Sequence, residues 1–167
     1  MVLKGLVGLA FTLMSREQKT KGNLNSSKLE QMGAEMLREV IKKRHETVPS
    51  ILRELIEKII ADGASTVYYT DCLAYACRQL STIVLDHQVL ITNLLERSLL
   101  LPGTVTNRVL RAVFPLMRVS PNIRETLILI LRKALYRKGI DKRRMAVTGF
   151  LEILKYSKIR SFDPIGH

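Results

Sequence analysis

Residues 48–63 read VPSILRELIEKIIADG, and this stretch decides the fold class. Val48, Ile51, Leu52, Leu55, Ile56, Ile59 and Ile60 recur at helical spacing, so a 3.6-residue turn gathers them into one apolar stripe. Pro49 has no amide hydrogen to lose in a first helical turn, and Gly63 suits the residue just past the last one. The spacing predicts one amphipathic helix that must bury its stripe against others.

The same period runs outward in both directions. Residues 1–15 form an apolar run with a single lysine, read as a first helix. The run mimics a secretory signal, but no small-x-small cleavage site follows, and Arg16 and Glu17 come at once. A polar loop at 16–26 precedes Ser27 and Glu30, which are spaced as a capping box. Leu29, Met32, Gly33, Met36, Leu37, Val40 and Ile41 then make one stripe, ending in Lys42, Lys43 and Arg44.

Downstream, Ser65 is the expected cap of a helix with Tyr69, Leu73, Ala76 and Leu80 inward. A short turn near Asp86 leads to a fifth helix, ended by Pro102 and Gly103. Thr104 opens a sixth with Val105, Val109, Ala112, Val113 and Leu116 on one face, bent or stopped by Pro115. Pro121 and the Asn122/Glu125 pair start a seventh through Ile123, Leu127, Ile130, Leu131 and Ala134. Gly139 ends it, Asp141 caps the eighth, and Ala146, Phe150, Ile153 and Leu154 are expected inward.

About eight helices of ~12–18 residues with short loops predict an all-α protein built of antiparallel helix pairs. Pairs recur at roughly 35–45 residues, the spacing of HEAT-like repeats. Asp141-x-Arg143-x-x-Ala146 has the flavour of such repeats. Broad stripes on successive helices favour a stacked HEAT-like α-solenoid over a compact bundle, and the chain reads as a piece of a longer stack.

No catalytic, cofactor or metal constellation stands out. His45, His87 and His167 are isolated, and residues 139–144 (GIDKRR) lack the glycine spacing of a phosphate loop. Cys72 and Cys77 lie five apart on a helix, so they turn about 140° from each other and cannot bridge. They are expected to pack as free thiols in a reducing compartment, cytosol or nucleus. Tyr68, Tyr69 and Tyr75 are expected in core or groove packing rather than on bases. An enzyme, a cofactor, a small-molecule substrate and a membrane span are therefore not expected.

Charge is the informative feature. The 167 residues carry 27 Lys and Arg against 15 Asp and Glu, a net +12, which seeks an acidic partner. Arg132, Lys133, Arg137, Lys138, Lys142, Arg143, Arg144, Lys155, Lys158 and Arg160 face only Asp141 and Glu152, so eight of the twelve net charges sit at 132–160. Lys142, Arg143 and Arg144 fall in a first helical turn, where cations oppose the helix dipole by about 0.3–1 kcal/mol each. Two readings follow: pairing with carboxylates of a neighbouring repeat, or a surface for phosphates or a partner's acidic helices.

Residues 104–155 resemble the second solenoid segment of the Fanconi anaemia group I family. The blocks LILILRKA (127–134) and AVTGFL (146–151) carry the likeness, with Leu110, Ala112, Val113, Pro115, Leu116, Val119, Ser120, Arg124, Asp141, Arg143, Leu154 and Lys155. Gly5, Leu6, Val7, Phe11, Gly33, Ala34 and residues 52–60 look similar more faintly, and 64–101 match only in pattern.

The resemblance implies a longer α-solenoid, a nuclear non-enzymatic scaffold that pairs with a paralogous group-D Fanconi protein. It also implies binding to DNA in interstrand crosslink repair. It divides the chain into 1–45, the end of a preceding helical domain; 46–160, the helical-repeat domain; and 161–167, a disordered tail. It further implies ubiquitin as a partner, joined to a lysine in an Asp-x-Arg-Lys context. Here Arg144 stands at that position and cannot form the isopeptide bond; Lys142 is the nearest lysine, rotated by about 200°. A generic HEAT-like adaptor for acidic peptides or partner helices is the alternative.

Overall fold

The computed structural model describes residues 2–15 and 25–161. Its α-helices are α1 (Val2–Met14), α2 (Asn25–Lys43), α3 (Val48–Asp62), α4 (Tyr68–Gln79), α5 (Ser81–Asp86), α6 (Gln88–Ser98), α7 (Gly103–Val113), α8 (Pro121–Leu135) and α9 (Ile140–Ser161). Short 3-10 turns at His45–Thr47 and Phe114–Arg118 join neighbours, and no strand occurs among the described residues.

The packing follows a two-row plan. α1 lies against α2, α3 against α4, α6 against α7 and α8 against α9. Successive pairs then stack: α2, α4, α7 and α9 touch in order along one row, and α3, α6 and α8 along the other. The fold is a HEAT-like α-solenoid segment, as the periodicity predicts. One continuous core runs through it, from Ala10 and Phe11 through Leu55, Leu94 and Val113 to Leu131 and Ala146.

Several boundaries differ from expectation. The helix expected from Ser65 to the turn at Asp86 is two helices, broken at Leu80, where φ is −129° and ψ 41°. The turn expected near Asp86 is present at His87 and leads into α6, which stops at Ser98, well short of Pro102. Neither the break nor the turn carries proline or glycine; the chain bends to seat α5 against α3 and α4. α2 starts at Asn25, inside the loop expected at 16–26; residues 16–24 of that loop lie outside the described residues. α7 begins at Gly103, and Pro115 turns its end into the 3-10 segment. The α8 cap is Ser120, whose hydroxyl accepts from the Ile123 amide at 3.3 Å, rather than the Asn122/Glu125 pair. Ser161, expected in the tail, ends α9, and residues 162–167 lie outside the described residues.

Two expected inward residues face outward. Met32 is 53% exposed and Leu154 57% exposed. Met32 joins Leu3, Leu6 and Met36 around an apolar cleft of about 490 Å³ between α1 and α2. The other core expectations fit: Tyr69 is fully buried, its ring 6.5 Å from Phe11 and its hydroxyl donating to the Met14 carbonyl at 3.4 Å. Cys72 and Cys77 are buried free thiols, pushed up to about 12 by desolvation, which leaves them inert as nucleophiles.

Candidate functional site

The α8–α9 hairpin turns sharply because Gly139 takes φ +125°, a conformation that residues with a side chain rarely adopt. That turn gathers the basic residues. Arg132 and Lys133 occupy the last turn of α8, where cations complement the helix dipole. Arg137 and Lys138 fill the connection, and Lys142, Arg143 and Arg144 begin α9, where cations oppose it. Arg132, Lys133, Arg137, Lys138, Arg143 and Arg144 are all exposed.

None of those six forms an ion pair among the described residues, where the bridges found are Lys43–Glu39, Arg44–Glu46, Arg97–Glu57 and Lys155–Glu152. The corner therefore holds positive charge that this part of the chain leaves uncompensated. Tyr136 stands in its midst, 90% exposed, an aromatic face between Arg132, Lys133, Arg137 and Lys138. Sequence reasoning missed it, although the run RKALYRK shows an aromatic interleaved with cations.

Lys142 separates from the group. Its ammonium donates to the Leu101 carbonyl and, at 3.0 Å, to Thr106 Oγ1, while Thr106 donates at 2.7 Å to the Ser98 carbonyl. Desolvation, followed by the nearby Arg137 charge, pulls its pKa below 10.5. The side chain clasps α9 to the α6–α7 turn, and in this conformation its amine is occupied. No local pattern signals this contact, since Leu101 lies 41 residues away.

Lys155 also stands apart. It lies eleven residues beyond Arg144, roughly 16 Å along α9, and pairs with Glu152 at 3.1 Å. The side chain of Lys158 lies outside those described. The structure thus brings six of the ten basic residues at 132–160 to one corner, turns Lys142 into the fold and leaves Lys155 at the far end; the side chain of Arg160, like that of Lys158, lies outside those described.

Arg144 borders a polar cleft of about 400 Å³ with Thr104, Asn107, Asp141 and Thr148, at the starts of α7 and α9. Among the described residues no cluster of His, Cys, Asp and Glu is arranged to hold a metal ion, and no helix is long and apolar enough to cross a membrane.

The family model for FANCI solenoid 2 matches residues 2–151. The Fanconi anemia group I protein of Gallus gallus is 31% identical over 172 aligned positions, covering 95% of this chain and 13% of that protein. The Fanconi anemia group I protein homolog of Mus musculus is 29% identical over 133 positions, covering 77% of this chain and 10% of that one. The chain thus spans about an eighth or less of the curated relatives it matches. Family match and two-row stack agree: the chain belongs to the FANCI solenoid 2 family, a helical scaffold related to the Fanconi anemia group I proteins.

Proposed function

We propose that this chain is a non-enzymatic scaffold segment that pairs with a paralogous group-D Fanconi protein and lays its basic corner on DNA in interstrand crosslink repair, in the nucleus. One observation carries the reading: six exposed cations at the α8–α9 corner have no carboxylate partner among the described residues. Such a surface lowers its energy by meeting phosphates or a partner's acidic face. Tyr136 adds a ring for stacking on sugar or base edges. The division at 45/46 remains part of the proposal, with residues 46–160 as the segment that bears the corner.

Ubiquitin conjugation is not proposed at Lys142, whose amine is engaged by Leu101 and Thr106, nor at Arg144, which has no amine to acylate. Co-expression with a group-D paralogue, followed by size-exclusion chromatography, tests the pairing. Co-elution is expected, and Arg137→Glu with Arg143→Glu and Arg144→Glu, on the corner laid on DNA, should leave it in place while lowering DNA retention. Separate elution of wild-type chain and paralogue would overturn the pairing.

A further inference from the structure

Two hairpin turns inside the stack are tied in the same way. Arg108 on α7 donates to the Thr66 and Gly63 carbonyls of the α3–α4 turn, at 3.1 Å each. Lys142 on α9 donates to the Leu101 carbonyl of the α6–α7 turn and to Thr106 Oγ1. In each case a cation on a hairpin's second helix satisfies carbonyls in the turn of the hairpin before it.

The two ties differ in position. Arg108 sits in the second turn of α7, whereas Lys142 sits in the first turn of α9, beside the exposed Arg143 and Arg144. Cations in that turn oppose the helix dipole, and the nearby Arg137 charge weighs against the Lys142 ammonium. Such a turn frays when nothing holds it, and its side chains then lose a fixed direction. The clasp holds it. Thr106 is fully buried and donates to the Ser98 carbonyl at 2.7 Å, so the acceptor that Lys142 meets is itself fixed. With Lys142 pinned inward, residues 143 and 144 stand about 100° and 200° around the helix from it, and both are exposed.

We infer that Lys142 is a positioning residue for the basic corner: it meets no phosphate, and through Leu101 and Thr106 it holds the first turn of α9 so that Arg143 and Arg144 meet DNA as a fixed pair. The inference rests on the DNA reading above. The coupling runs both ways. A phosphate that neutralises Arg137 removes the charge opposing the Lys142 ammonium, so bound DNA tightens the clasp and an intact clasp favours bound DNA.

The test measures duplex DNA affinity against salt, with amide hydrogen exchange, on whole chains carrying Lys142→Met, Thr106→Val, both, or Arg143→Met. Arg143→Met removes a phosphate contact, so its salt slope should shrink by about 0.9. Lys142→Met should lower affinity about fivefold and leave the slope within about 0.3 of wild type. Thr106→Val changes no charge, yet it should lower affinity too, and the double variant should bind no more weakly than Lys142→Met. Exchange at residues 140–146 should quicken roughly tenfold in Lys142→Met, and should slow in the wild type when DNA is added. Lys142→Arg keeps both charge and donors and should restore most of the affinity, which separates a lost clasp from a variant that folds badly. A slope reduced in Lys142→Met as much as in Arg143→Met, wild-type affinity in Lys142→Met, or additive losses in the double variant would each overturn the inference and leave the DNA reading standing. A wild-type chain with no salt-dependent DNA affinity would remove that reading, and this inference with it.

Discussion

The first and last helix pairs use the same architecture with opposite electrostatics. On α2, basic Lys43 lies 3.5 Å from Glu39, and Arg44 lies 3.6 Å from Glu46 beyond its end. Both bridges are intramolecular and solvated, worth about 0–1 kcal/mol each. At the α8–α9 corner a comparable set of cations meets no such partner among the described residues, and the helix dipole of α9 adds to the mismatch. Local stability accounts for the first arrangement and not for the second. An uncompensated charge cluster on a well-packed hairpin is what the proposed docking onto phosphate or an acidic partner would neutralise.

Packing sharpens that contrast. A Cβ at Gly33 would stand 2.7 Å from the Ala10 carbonyl oxygen and 3.0 Å from Leu13 Cβ, so α1 and α2 meet backbone to backbone. At Gly149 the obstacle is Leu131 Cδ2 at 2.5 Å, the tip of a side chain that can rotate. Gly33→Ala is therefore expected to cost about 1–3 kcal/mol in a thermal or urea melt. Gly149→Ala should cost less; the reverse order would show that the first pair, not the last, is the looser one.

Lysines at the two ends should also part company. Lys142→Met leaves the Leu101 carbonyl and Thr106 short of a donor, for about 1–2 kcal/mol, whereas Lys43→Met removes an exposed pair worth under about 0.5 kcal/mol. Equal losses in denaturant melts would remove the clasp from the account.

Alkaline pH probes the middle of the stack, which belongs to neither end. Burial pushes Tyr69 up from 10.0 to about 12 and both thiols from 9.0 to about 12. The folded chain keeps protons that the unfolded chain loses, so stability is full below about pH 9 and falls as pH rises toward 12. Cys72→Ala with Cys77→Ala should blunt that fall in urea melts between pH 8 and 11. An unchanged slope would contradict the burial of the thiols.

How much of this was legible beforehand varied with the physics. Where one face of a helix is apolar, as in α3, the sequence alone locates the core: Ile51, Leu52, Leu55 and Ile59 are buried. Where two faces are apolar, as in α9, periodicity cannot choose, and Leu154 was expected on the wrong side. The turn near Asp86 was legible, but the break at Leu80 carries no local breaker and arises from tertiary packing, so the run from Ser65 to Asp86 read as continuous. The basic corner was legible as charge per residue. That Lys142 leaves it for a contact 41 residues away is information held only by the fold.

Whether the corner seeks phosphate is tested most directly by duplex DNA affinity measured against salt. With about six phosphates neutralised, log affinity should fall against log salt with a slope near −5, roughly a thousandfold between 50 and 200 mM. Arg137→Glu, Lys138→Glu and Arg143→Glu together should at least halve the slope, while Lys42→Glu and Lys43→Glu on α2 should leave it nearly as it was. A wild-type affinity indifferent to salt, or an equal change from the α2 reversals, would contradict the claim that the uncompensated charge at the α8–α9 corner is the DNA-facing surface.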